Sequence, residues 1–484
     1  MTIREPEREV EVLDEVDVLV AGAGVAGCAA AVAAARAGAK TMLLERNGVL
    51  GGVATAGLMA NIGNRYMDRD GRIVVHGVAK EVIDRMVARG AASEKWACRE
   101  VPGIVIDSEQ LKIVLIELEQ GAGVKVLTHT LAARPLMGKA GADTFSPDGD
   151  TIKGVFIENK MGRQVVLAKV VVDATGEADL AWQAGCPMRW VEGSASLEFK
   201  MGRVNLDVLY EHFKRHPETF PVGMDMVKGF AEFERNWVER GIFFFPHYGG
   251  TKWDIFQKAV EEGKFVPRQG ILYNLNATGM YGLRQYDQVV INSNFWKVRS
   301  LRAPDLSEAQ LETQKACYYV ADFFRRYVPG FNRAYISQMG SDLGIRVSRG
   351  IEGEATLTAE QVRAKEPTYS SDVIGCQPMN ASFEETGEFF QPFTYDIPYG
   401  VLVPKKTDNL LVASAKSIST QWMGLIRGMS GCMICGQAAG VAAALSAKHG
   451  VVPRKLDVRL LQRTLLEQGV YLGEPERLSA LGIR

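Results

Sequence analysis

Val16-Asp17-Val18-Leu19-Val20-Ala21-Gly22-Ala23-Gly24-Val25-Ala26-Gly27 is the stretch that decides the fold. Val16 to Val20 is a short β-branched run ending at small residues, which reads as a buried strand. Cys28 to Ala37 is rich in alanine, a strong helix former, and Gly38 stops it. Thr41 to Glu45 reads as a second strand, so the unit is βαβ with a right-handed crossover. The connecting turn is G-x-G-x-x-G. Gly22 permits the tight turn, Gly24 lets the backbone approach a pyrophosphate, and Gly27 allows close helix–strand packing. Free N–H groups of the first helical turn, Ala26 among them, and the positive helix end then face the phosphates. Glu45 follows Gly22 by 23 residues, where a carboxylate can accept hydrogen bonds from a ribose hydroxyl. These residues predict a dinucleotide site.

The residues after Glu45 narrow the dinucleotide. Glu45-Arg46-Asn47-Gly48-Val49-Leu50-Gly51-Gly52-Val53-Ala54-Thr55 resembles the E-x5-G-G-x2-T continuation of FAD-dependent oxidoreductases of the glutathione-reductase-like superfamily. Val170-Val171-Val172-Asp173-Ala174-Thr175-Gly176-Glu177-Ala178-Asp179 is similar to the second flavin motif of that family. Asp408 to Ala413, followed by Gly436-Gln437-Ala438-Ala439-Gly440, resembles its last flavin-contacting strand and helix. Gly344 to Arg349 and Ile397 to Pro404 point to the subgroup labelled simply "FAD-dependent oxidoreductase". The resemblance covers residues 14–190 and 340–450.

It implies an α/β fold: a Rossmann-type FAD-binding domain, parallel sheet plus β-meander, with an inserted α+β substrate domain. The expected division is 1–190 and 341–484 for the FAD-binding domain and 191–340 for the insertion. Gly22, Gly24, Ala26, Gly27, Glu45, Arg46, Gly51, Gly52 and Thr55 would hold the adenosine diphosphate half. Ala174, Thr175, Gly176 and Asp179, with the Gly436-Gln437 helix end, would flank the remainder. That helix is expected to begin around Ser430-Gly431-Cys432, its positive end stabilising charge on a reduced flavin. The chain departs from the subgroup at Ser414-Ala415-Lys416, where relatives commonly show Gly-Arg. It also lacks a histidine between Ser417 and Gly424, and has Gly350 where a second arginine commonly follows Arg349.

Working outward, Val78 to Arg89 and Ser108 to Gln120 have helical periodicity, Ser108 serving as an N-cap. Val124 to Leu127 reads as a strand, Gly138 to Asp150 as a surface loop and Thr151 to Asp173 as a β-meander. Residues 191–340 hold 26 of the 41 aromatic residues, which suit a ligand-recognising wall or the core of a small domain.

Composition excludes other classes. Fifty-six Lys plus Arg against 57 Asp plus Glu leave a net charge of -1, without the positive surplus that nucleic acid or an anionic membrane requires. Seven scattered cysteines are no secreted disulfide framework and point to a reduced, cytoplasmic compartment. Val18 to Ala35 carries no charge, but three glycines and an acidic flank argue against a membrane span or signal.

For catalysis, His247 beside Tyr248 in the insertion is the leading acid/base candidate. Arg346 and Arg349 either clamp a substrate carboxylate or brace an acidic partner such as Glu352 or Glu354. His76 precedes a helix and could approach the flavin; Tyr395 and Asp396 could line the same cavity. Cys432-Met433-Ile434-Cys435 is either a redox dithiol at a helix N-terminus or, as favoured here, a pair of small packing residues. No metal site is expected. The expectation is hydride transfer from a small organic substrate to FAD in an aromatic-lined cavity, with an unknown electron acceptor and a homo-oligomer left open. The alternatives are a monooxygenase, an NAD(P)H-driven double-bond reductase, or a non-catalytic FAD-binding sensor.

Overall fold

The computed structural model describes residues 7–63, 66–68, 70–98, 103–139, 145–146, 148–220, 229–245, 259–263, 279–293, 295–378, 381–382, 389–390 and 393–484. The opening unit is β1 (Glu11–Ala21), α1 (Val25–Arg36) and β2 (Thr41–Leu44). Helices α2 (Val78–Ala88) and α3 (Ser108–Ala122) follow, then β3 (Lys125–Leu127), β4 (Leu131–Gly138), β5 (Thr151–Asn159) and β6 (Gly162–Asp173). Asp107, not Ser108, caps α3: its side chain accepts the Glu109 N–H, and Ser108 is the first helical residue. Of two adjacent cap-forming residues, the one with extended backbone takes the role.

These strands form one seven-stranded sheet in the order β3-β2-β1-β6-β5-β4, with β7 (Leu410–Val412) also on β6. β1 runs parallel to β2 and β6. β6 is shared: Gly162 to Leu167 pair antiparallel with β5, while Val171 to Asp173 pair parallel with β7. The meander is therefore an extension of the parallel sheet. The uncharged stretch from Val18 is β1 and α1, with Val18 to Ala34 almost wholly buried.

Helix α4 (Met429–His449) lies against α1. It is long and apolar enough to cross a membrane, but 94% of its apolar window is buried within the protein. A Cβ on Gly436 would stand 2.1 Å from Ala26 O, and one on Gly440 2.0 Å from Ala30 O. Glycines four apart share one helix face, so they let two helices touch backbone to backbone.

Past residue 190 the chain builds a five-stranded antiparallel sheet. Its order is Ile242–Phe245, Gly279–Leu283, Gln288–Asn292, Phe199–Gly202, Tyr335–Met339. Many of this unit's aromatic residues pack into a core: Phe213, Phe220, Phe233 and Phe245 are buried, with neighbouring ring centroids 4.6–5.7 Å apart. That corrects the aromatic-lined cavity for Phe243 to Phe245, which are core strand residues. Their area stabilises this unit rather than a ligand.

Candidate cofactor site and its surroundings

The predicted loop residues converge at the carboxyl ends of β1, β2 and β6, where ligands of open α/β sheets sit. Gly22 has φ +96°, and a Cβ there would lie 2.6 Å from Ala174 O; one on Gly27 would lie 1.8 Å from Gly22 O. Both glycines are required by backbone crossings. Gly24 differs: a Cβ there would meet nothing within 4 Å, so space is open beside it. The first intrahelical bond runs from Cys28 N–H to Gly24 O at 2.9 Å. The N–H groups of Val25, Ala26 and Gly27 precede it, as donors for an anion.

Glu45 is buried, and its two oxygens accept the N–H groups of Ala23 and Asn47, each at 2.8 Å. Burial raises its carboxyl above the usual range, opposed by those two bonds. Gly51 bridges to Gly24, its N–H donating to Ala23 O at 2.7 Å, and a Cβ on Gly52 would lie 3.0 Å from Gly24 Cα. Thr55 is buried and donates to Leu50 O, locking the double-glycine turn. Arg46 is exposed and pairs with Asp342 at 3.3 Å.

Asp173 organises the second motif. It is fully buried and accepts from Thr175 Oγ1 at 2.7 Å and from the Ala181 N–H at 2.9 Å. Thr175 Oγ1 in turn accepts the Asp179 N–H at 2.8 Å. Sequence reading passed over Asp173 as a strand end, although a carboxylate closing a run of valines was a visible signal. Asp179 ion-pairs with Arg349, whose Nε also donates to Glu177 O at 2.8 Å and whose guanidinium lies 4.6 Å from the Trp182 ring. Burial, then Asp173 and Glu177, push the Asp179 carboxyl up to about 6.

Several sequence assignments change. Arg349 braces Asp179 rather than a substrate; Glu352 and Glu354 take Lys405 and Arg454 instead. The Arg349 Nε and Nη2 are engaged by Glu177 and Asp179 and its face lies on Trp182, the arrangement of a bracing guanidinium. Gly436 and Gln437 are not a helix end. They lie in the second turn or beyond of α4, which begins at Met429. Gly436 packs on Ala26, and Gln437 Oε1 accepts the Val78 N–H at 2.9 Å, so it caps α2. Low helix propensity in Met429-Ser430-Gly431 is overridden by burial.

His247 and Tyr248 lie outside the described residues. His76 contacts Ile73 O at 2.7 Å and stacks on Tyr471. Asp396 is held by Arg477, and Tyr395 is buried. Cys432 and Cys435 are unpaired, and burial pushes both thiols up. A redox dithiol needs a stabilised thiolate, so raised thiols favour the packing reading. Lys416, a departure from the subgroup pattern, ion-pairs with Glu177 and donates to Ile345 O at 2.9 Å. Its Nζ would lie 3.4 Å from a Cβ on Gly176.

A family model described as FAD dependent oxidoreductase matches residues 17–465. The chain belongs to this family. FAD is the cofactor of this FAD-dependent oxidoreductase, and the loop fits it: an open position at Gly24, three N–H donors of the first helical turn and a preset carboxylate. Among similar proteins is digeranylgeranylglycerophospholipid reductase 2 of Methanopyrus kandleri, 28% identical over 266 residues, 52% of this chain and 61% of that one. Urocanate reductase of Eggerthella lenta is 44% identical over 68 residues, 14% of this chain and 11% of that one. This chain thus spans less than two thirds of each of these relatives. Among solved structures, p-nitrophenol 4-monooxygenase of Pseudomonas putida gives a TM-score of 0.46 at 11% identity, covering 97% and 92% of the two chains.

Proposed function

We propose that this enzyme takes a hydride from a C–H bond of a small organic substrate, its residues 191–340 forming the substrate domain. When bound, FAD supplies the two-electron acceptor for that hydride. The observation supporting the reading is a closed seam beside the cofactor loop. The Gly51–Thr55 turn continues into Ala56 to Met59, and Gly340 to Asp342 close over it. The Ser341 N–H donates to Ala56 O at 2.8 Å, and the Gly340 N–H to Glu198 O at 2.9 Å. Leu58 at its centre is fully buried with φ +60°, a strained conformation of the kind that gathers at functional sites. Exclusion of water around buried groups such as Leu58 strengthens charge interactions beside them.

In this reading Gly22, Gly24, Gly27 and Glu45 bind the adenosine half, and the Gly51–Thr55 turn orients what extends beyond it. Thr175 and Gly176, fixed by Asp173, line the opposite side. The seven cysteines form no disulfide among the described residues, which supports a reduced, cytoplasmic setting. A second reading is reduction of a double bond with NAD(P)H as donor; the word reductase in the names of the two relatives above supports the reductive direction alone. The absence of a second full G-x-G-x-x-G unit in the sequence counts against it. Anaerobic bleaching of the yellow chromophore with alcohols, amines and sugars supports the first reading. Rapid bleaching by NADPH alone, with no effect of that panel, supports the second.

A further inference from the structure

The seam holds two buried ionisable groups that cofactor binding does not use. Glu198 is 2% exposed and immediately precedes the Phe199–Gly202 strand; Tyr281, 1% exposed, lies on the Gly279–Leu283 strand. The Tyr281 hydroxyl donates to Glu198 Oε2 and stands 3.3 Å from Met59 Sδ. The pair therefore faces the turn that follows Thr55. Asn292, also buried, lies beside the same phenol. Two acceptors remain buried without a hydrogen-bond partner, Glu198 Oε1 and Asn292 Oδ1. A scaffolding pair would have its lone pairs satisfied, because an orphaned buried acceptor is costly.

We propose that Glu198 and Tyr281 form the proton-accepting pair of the active site, and that the substrate presents O–H or N–H donors to Glu198 Oε1 and Asn292 Oδ1. The substrate class is then a small alcohol or amine. This rests on the hydride-transfer reading above. The step balances. The C–H bond breaks and its electron pair leaves with the hydrogen as hydride to the flavin. The O–H or N–H bond breaks, its pair forms the C=O or C=N bond, and the proton passes to Glu198 Oε1.

The titratable and charged groups acting on Glu198 are Tyr281 and Arg346; the thiol of Cys317, on the Ala303–Tyr327 helix, turns to the adjacent Leu197 O at 3.9 Å. Burial pushes the Glu198 carboxyl up to about 8, while the Tyr281 hydrogen bond and Arg346 pull it down. Tyr281 is itself held well above its ordinary range by burial and by Glu198. The phenol thus stays a donor, and Glu198 is the member that changes charge.

The test starts without substrate, by titrating the visible flavin spectrum of the holoenzyme from ~pH 6 to ~10. The wild-type spectrum shifts with an inflection near 8. The shift is absent in Glu198→Gln, and in Tyr281→Phe it moves to higher pH because the bond stabilising the carboxylate is gone. A wild-type spectrum blind to pH, or an inflection retained in Glu198→Gln, overturns the proposal. With an alcohol or amine that bleaches the flavin, Glu198→Gln slows bleaching about 10²–10⁴-fold while dithionite reduction is unchanged; an unaltered rate overturns it. If only NADPH bleaches the flavin, the oxidative reading fails, and the spectral titration still decides the pair.

Discussion

Glu45 and Glu198 are both buried carboxyl groups raised by burial, yet the protein treats them differently. Glu45 receives two backbone N–H groups, from Ala23 and Asn47. Glu198 receives one phenol and keeps one oxygen without a partner. The first is an acceptor fixed before any ligand arrives, which suits holding a ribose. The second is poised to change its protonation, which suits chemistry. Burial alone does not distinguish a binding carboxyl from a reacting one; the number and kind of donors does.

The comparison breaks most severely at the glycines that shape the Glu45 side. Gly27→Ala sets a methyl 1.8 Å from Gly22 O, so the loop cannot close. The protein should lose bound FAD and at least about 1–3 kcal/mol of stability, read from flavin content and melting temperature. Gly24→Ala is the sharpening control, since its methyl enters open space. Melting of the FAD-free protein should match wild type while FAD binds at least about tenfold more weakly, ~1.4 kcal/mol. Equal loss of stability in both variants would remove the open cradle.

Three smaller effects follow. Glu45→Gln points an amide at one backbone N–H, so FAD affinity should fall by about 1.5–3 kcal/mol, measured by titration of the FAD-free protein. Gly436→Ala should cost about 1–3 kcal/mol of stability through its collision with Ala26 O; loss of FAD affinity with no loss of stability would restore the cofactor role first expected for it. Cys435→Ala should change stability by about 1 kcal/mol and leave the flavin's reduction potential in place, whereas a shifted potential would revive the dithiol.

The Glu45 region was legible because every part of it lies within a few dozen residues, from Val16 to Thr55. Strand, turn, helix and acidic residue each leave a local mark, and backbone geometry ties them together. The Glu198 region left none. Leu197, Phe199 and Met201 alternate with Glu198 and Lys200, which reads as a strand with its charges in water. Residues 195–199 are instead all buried, and the partner phenol is 83 residues away. Arg349 was half legible: bracing was foreseen, but its partner Asp179 lies 170 residues upstream, and the nearer Glu352 and Glu354 drew attention. The start of α4 was legible to within one residue, Ser430 against Met429; the interior place of Gly436 and Gln437 was not, because a small residue leaves no local mark of the backbone contact with Ala26 that selects it.

The central contrast is tested most directly by the pH dependence of anaerobic flavin reduction by an alcohol or amine substrate, in wild type and in Glu198→Gln. Deprotonated Glu198 is the accepting form, so the wild-type rate should rise with pH and level off above an inflection near 8, while the variant is slow and shows no such inflection. The same inflection in both proteins, at comparable rates, would contradict the account.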